Sequence, residues 1–262
     1  MPNWLIDGSL SKKQMRGMGR FSFELIKFLS EDHSNNLVVV VNNIDSYRFL
    51  YDEFKSQKNM RIVCIPIFFP IFEQLILPLI RLKYYRSVYV SGGDSYSIFS
   101  FFGENIFLLH DIYFLKNSLF VDKIFHKVLG RFYRRFVFFF AIFGARHVVT
   151  VSNFTSSEVI NMFPRLRGTF DRKLVVIENG TNFRNFNTPI AERSFDLVFV
   201  TGLDPQKRFC WAIQQLENFD RKLRICVVGI RGNDGVSSKH EIVYQGVLAA
   251  GEVEAFLNDS KV

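Results

Sequence analysis

The sequence predicts an α/β fold of parallel sheets, and three observations predict it. Short runs rich in Val, Ile and Leu recur along the 262 residues, helix-period patterns separate them, and one polar stretch without period interrupts the series. Near-continuous apolar runs suit strands covered on both faces, and alternating strands and helices call for parallel pairing.

In chain order, strands are expected at Trp4–Ile6, Leu37–Val41, Arg61–Ile65, Val88–Ser91, Ile106–Leu109, His147–Val151 and Leu174–Ile177. A second series follows at Asp196–Val200, Arg224–Val228 and Glu241–Tyr244. Between the first strands, Phe21, Leu25, Phe28 and Leu29 share one face of a helix. Thr155 to Glu158 has the form of a capping box, with Val159, Ile160 and Phe163 behind it. The break is Phe183–Arg193, which is polar, contains Pro189 and divides the chain into residues 1–183 and 184–262. Neither solenoid repeats nor low-complexity tracts occur.

Two stretches imitate membrane spans. Ile62–Ile80 is apolar but holds Pro66, Pro70, Pro78 and Glu73, and the prolines should break a helix of that length. Phe136–Phe143 is wholly apolar but far short of the roughly 20 residues a span needs. The N-terminus, Met1–Ser9, contains Asp7 and no long apolar core, unlike a signal peptide.

Composition bounds the chemistry. A hydrophobic fraction of 48% with 22% charged residues belongs to a folded chain with a sizeable core, and Phe is abundant at 31 residues. The net charge of +8 and pI of about 9.4 attract anions of many kinds, among them nucleic acid, phosphorylated substrates and anionic lipid. No RNA- or DNA-binding motif accompanies that charge, so nucleic acid is not expected as a partner. Cys64, Cys210 and Cys226 form no Cys-x-x-Cys pair and read as small buried thiols of a reducing compartment. The histidines do not fall at metal-ligand spacing, and no metal cofactor is expected.

Four segments carry chemistry. Arg16-Gly-Met-Gly-Arg20 precedes a helix expected to begin near Phe21, where glycines expose backbone N–H groups to an anion; a tight structural turn explains it equally well. His110, in Leu108-Leu-His-Asp-Ile112, ends a strand at the edge where open α/β sheets bind ligands, with Asp111 beside it to fix the ring. Ser152 ends the next strand, and its hydroxyl serves either a ligand or the helix cap. Lys207 and Arg208 start a helix after Thr201-Gly-Leu-Asp-Pro-Gln206. Cations oppose the dipole there, which favours an anion between them, the alternative being a solvated charged turn.

In order, these segments resemble glycosyltransferase family 4, the retaining GT-B enzymes that build bacterial surface polysaccharides. The resemblance rests on Arg16–Arg20, Glu73-Gln-Leu-Ile-Leu-Pro78, Leu109-His-Asp111, Val149-Thr-Val-Ser-Asn-Phe154, Val176-Ile-Glu-Asn-Gly180 and Leu203-Asp-Pro-Gln-Lys207. It implies an acceptor-binding Rossmann-like domain followed by a nucleotide-sugar-binding one. The reaction implied is transfer of a hexose to a saccharide or polyprenyl-linked acceptor, in the cytoplasm or at the inner membrane face, without metal. His110 would lie at the reaction centre. Lys207 would hold the donor diphosphate with Arg208, and Gly17 and Gly19 would face the donor phosphate or the acceptor. Arg16, Arg20, Asp111 and Ser152 would stand on the acceptor side.

Two departures accompany it. Gly202 stands where many members carry arginine, and Arg208 would substitute only if its side chain reaches the same point. The glutamate segment that holds the donor sugar in the family has no counterpart before Val262, so the second domain reads as incomplete. Weak transfer by the chain alone is therefore expected. The alternative is a non-catalytic remnant, or an acceptor-binding half completed by a partner chain. Arg131-Phe-Tyr-Arg-Arg-Phe-Val-Phe-Phe-Phe-Ala-Ile-Phe143 leaves two readings open, a helix buried on the sheet or one docked on an anionic bilayer.

Overall fold

The computed structural model describes residues 3–13, 17–93, 96–100, 102–112, 114–115, 125–180, 189–202, 207–232, 238–248 and 250–261. The chain divides into two compact units, Met1–Gly180 and Thr181–Val262.

The first unit holds strands β1 (Trp4–Asp7), β2 (Leu37–Val41), β3 (Met60–Cys64), β4 (Val88–Val90), β5 (Asn105–Leu109), β6 (His147–Thr150) and β7 (Leu174–Val176). They form one seven-stranded sheet in the order β3-β2-β1-β4-β5-β6-β7, parallel throughout. The sheet is Rossmann-like in general kind. The strand order reverses between β1 and β4, where ligands of open α/β sheets bind outside the carboxyl ends.

Side-chain alternation supplies a core to each face. Ile6, Val39, Val90 and Leu108 point toward helices α1 (Gly17–Glu31) and α2 (Ile44–Phe54). Leu5, Val40, Tyr89, Phe107 and Val148 point the other way. There they meet a helical run made of α3 (Phe69–Ile71), a π-turn (Phe72–Ile76) and α4 (Leu77–Lys83). Also on this face lie α5 (Phe125–Gly144), α6 (Asn153–Met162) and α7 (Arg167–Lys173).

Several local expectations need correction. On α1 the buried positions are Gly19, Ser22, Ile26, Leu29 and Ser30, while Phe28 is exposed, because the core-facing arc is rotated by about one residue. Ile62–Ile80 is not one helix, as expected: it opens in β3 and a loop through Pro66, and Pro70 and Pro78 are accommodated within the 69–83 run that follows. Pro70 sits in the first turn of α3, where no N–H is needed. Ahead of Pro78, the Leu77 N–H reaches back to the Phe72 carbonyl in a π-turn, which widens the helix around the proline ring. On α5 the core takes Val137, Phe138, Ala141 and Ile142, whereas Phe132, Phe136, Phe139, Phe140 and Phe143 are exposed. Among the cysteines, Cys226 is buried and Cys64 half-buried, but Cys210 is exposed.

The second unit has β8 (Leu197–Val200), α8 (Phe209–Leu216), β9 (Arg224–Val228), β10 (Glu241–Gly246) and α9 (Ala250–Asn258). Its strands form a parallel sheet in the order β10-β9-β8. Phe209, Ile213, Ile225 and Val227 make the core on one face; Phe195, Cys226 and Val228, with Phe256, make it on the other. Among the described residues, no helix is long and apolar enough to cross a membrane.

Candidate functional site at the carboxyl edges of the sheets

In the first unit, α1, β5 and α6 converge at the carboxyl edge of the sheet. The Phe21 ring of α1 packs edge-on against His110, with centroids 5.0 Å apart. The Thr155 hydroxyl of α6 donates to the His110 carbonyl at 3.4 Å. His110 is half-buried, and that burial lowers its pKa despite the opposing pull of Asp111. A neutral imidazole at this edge can donate from one nitrogen and accept at the other. Asp111 follows it, exposed.

The glycine segment differs from its expected form. The helix already begins at Gly17, so Gly17 and Gly19 lie inside the first turn of α1 instead of in a loop before it. Among the described residues, a Cβ at Gly17 would meet nothing within 4 Å. Arg20 is exposed on that turn, and Arg16 lies outside the described residues.

Ser152 is the N-cap of α6. Its Oγ accepts the Thr155 N–H at 3.1 Å and lies 3.0 Å from the Thr155 hydroxyl. The helix therefore starts three residues before the expected capping box, and Ser152 takes the capping alternative. Beside it, Asn153 donates to Glu178 at 3.3 Å, and the Phe154 ring is exposed.

Asp7, at the end of β1, is a site residue that sequence reasoning missed. It is buried at the switch between β1 and β4, where it accepts the Ser9 N–H at 3.0 Å. Burial raises its pKa, and the Ser9 hydrogen bonds oppose the shift. Gly92, after β4, lies so close to the Asp7 carbonyl that a Cβ would collide with it. The available signal was an acid placed directly behind the first apolar run, Trp4-Leu-Ile6.

In the second unit, Lys207 and Arg208 are exposed at the start of α8, beyond the carboxyl end of β8. Arg208 is the N-cap and is left-handed at φ 51°, alone among the described non-glycine residues. Such a conformation costs on the order of 1 kcal/mol and clusters at ligand sites. Gly229, ending β9 at φ 102°, packs its backbone onto Thr201 at the end of β8, where any Cβ would collide with the Thr201 carbonyl. Among the described residues, no group of His, Cys, Asp and Glu could hold a metal ion.

No family model matches this chain, and no curated protein is significantly similar to it.

Proposed function

We propose that this chain is a GT-B-type glycosyltransferase polypeptide of family 4 character. In this reading a nucleotide-sugar supplies a hexose to a saccharide or polyprenyl-linked acceptor. The observation that carries the reading is His110, a half-buried imidazole at the carboxyl end of β5 that packs against Phe21 of α1 and whose pKa burial lowers. Such a group can hydrogen-bond a sugar hydroxyl without placing a charge beside it. Two cations at the start of α8 suit the other need of the reaction, since the departing diphosphate gains negative charge as the glycosidic bond breaks. Six ordered sequence segments of family 4 type support the same reading.

The test is titration of the purified chain with nucleoside diphosphates and nucleotide-sugars by calorimetry. Binding that weakens roughly tenfold or more in Lys207→Ala/Arg208→Ala, at the ~1.5–3 kcal/mol of a charge-assisted contact, supports the donor role. His110→Ala should lower turnover more than donor affinity. Absence of nucleotide binding at millimolar concentration would overturn the proposal. Binding without turnover would favour a chain that holds the donor but is completed by a partner chain.

A further inference from the structure

We propose that the outer faces of α5 and of residues 69–83 form a docking surface for an anionic lipid bilayer. The two helical runs are neighbours on one side of the seven-stranded sheet. The Tyr133 hydroxyl of α5 contacts Glu73, and Gln74 Nε2 donates to the Tyr133 oxygen at 2.8 Å. Both runs bury their inner faces in the same core.

Their outer faces are apolar as well. On α5, Phe132, Phe136, Phe139, Phe140 and Phe143 are 42–63% exposed. Their spacing places all five on an arc of about 100°. On the neighbouring run, Ile71, Leu75, Leu79 and Leu82 repeat at steps of four, four and three, behind an exposed Phe68. Whole side chains of this size carry up to 150–250 Å², so these ten present roughly 1,000 Å². Monomers rarely expose patches beyond a few hundred Å² unless they bind something.

Charge selects the occupant. Helix α5 carries basic residues and no acid; Arg134 is exposed, and Arg135 donates to the Phe114 and Leu115 carbonyls at 3.1 and 3.0 Å. Glu73, the acid of the 69–83 run, is buried. Beyond Leu82 stand Lys83 and Arg86, the latter over the exposed Tyr85 ring. At the far end of α5, Lys173 donates to the Phe143 carbonyl at 2.7 Å. An apolar face with cations at its ends and no exposed acid on these helices matches an anionic interface. A helix of this kind lies in the membrane plane. A second copy is the weaker occupant, because a net charge of +8 repels its like. The inference is independent of the transferase reading.

The experiment is co-sedimentation of the full chain with phosphatidylcholine vesicles, with and without phosphatidylglycerol. Binding should require the anionic lipid, fall several-fold at high salt, and drop roughly tenfold or more in Phe136→Ser/Phe140→Ser/Phe143→Ser or Leu75→Ser/Leu79→Ser. Phe28→Ser, on the opposite helix layer, should leave it unchanged. These side chains are exposed, so unfolding transitions should persist. If a variant does misfold, Lys83→Glu/Arg86→Glu tests the charge requirement instead. Binding indifferent to lipid charge, or to the α5 rings in a folded variant, would overturn the proposal. So would self-association that the ring variants abolish in a chain that ignores vesicles.

Discussion

Replacing Arg81 with Met should destabilise the first unit by about 2–4 kcal/mol. Arg81 is fully buried on α4 and serves as a clip between two loops. Its Nη1 donates to the Tyr84 carbonyl at 3.0 Å and to the Ser87 carbonyl; its Nη2 donates to the Glu104 carbonyl at 3.1 Å and more weakly to Phe102 at 3.4 Å. Bonds from a charged donor contribute about 1.5–3 kcal/mol each, so the two at ordinary length alone suggest roughly 3–6 kcal/mol. Two effects reduce that sum. The Tyr84 and Glu104 carbonyls keep bonds from the Ser87 and Tyr89 N–H groups. Removing a buried cation also recovers its desolvation cost. For a unit of this size the remainder lowers Tm by roughly 5–15 °C. Trp4, half-buried in β1, reports on this unit once the second tryptophan is removed as Trp211→Phe. Urea unfolding followed by Trp4 fluorescence should show a lower midpoint at unchanged slope. Arg81→Lys should recover only part of the loss, because one ammonium cannot span both pairs of carbonyls. A midpoint for Arg81→Met within about 0.5 kcal/mol of wild type would refute the clip argument.

Three further outcomes follow from the site. Asp7→Asn should raise stability at neutral pH: the folded pKa lies above the ordinary one, so the stability that protonated Asp7 provides is lost as pH rises through it. The gain should shrink on acidification, measured as Tm against pH, and a variant less stable than wild type at neutral pH would contradict it. His110 has the opposite arrangement, a depressed folded pKa, so its contribution is full above the ordinary value near ~6.5 and lost as pH falls through the folded value. His110→Gln should therefore show a shallower fall in stability on mild acidification than wild type, read from paired denaturation series. Ser152→Ala should cost about 1 kcal/mol through the lost cap of α6, measured by urea midpoint, while Ser152→Asp should retain most of it.

The sheet was legible because its strands are short and apolar on both faces. Every expected strand is present, shifted by at most a residue or two, and helices between most successive strands account for their parallel pairing. Helix starts were less legible. Gly17 and Gly19 suggested a loop because glycine is a poor helix residue, yet at the first turn its propensity cost is small. Ser152 and Thr155 are both plausible caps by composition, and only the extended backbone of Ser152, at φ −161° and ψ 153°, decides between them. His110 was readable from its position after an apolar run. Its contact with Phe21 was not, since that pairing spans the crossover from α1 to β5. Asp7 was unreadable as a site residue because its burial depends on how closely Gly92 crosses β1.

Helix α5 shows why an apolar helix need not be a buried one. Hydrophobicity on every side ordinarily argues for complete burial. Here the two apolar faces differ in size instead of polarity. The sheet side takes Ala141, Ala145 and Val137 with one ring, Phe138, and Gly144 sits against the Tyr96 hydroxyl where a Cβ would come within 3.1 Å. Close approach of a helix to a strand layer demands small side chains on that side. Phe136 and Phe140 instead pack at a tilt with centroids 4.7 Å apart on the outside, and Phe139 leans on Phe163 of the next segment. The small residues at 141, 144 and 145 therefore mark the sheet-facing side, and the remaining rings must find another apolar phase or stay in water. A chain that only needed to pack α5 could carry Lys, Glu or Gln at 132, 136, 140 and 143 with no loss to its core. Four phenylalanines there make contact with an external apolar phase the economical explanation of the sequence.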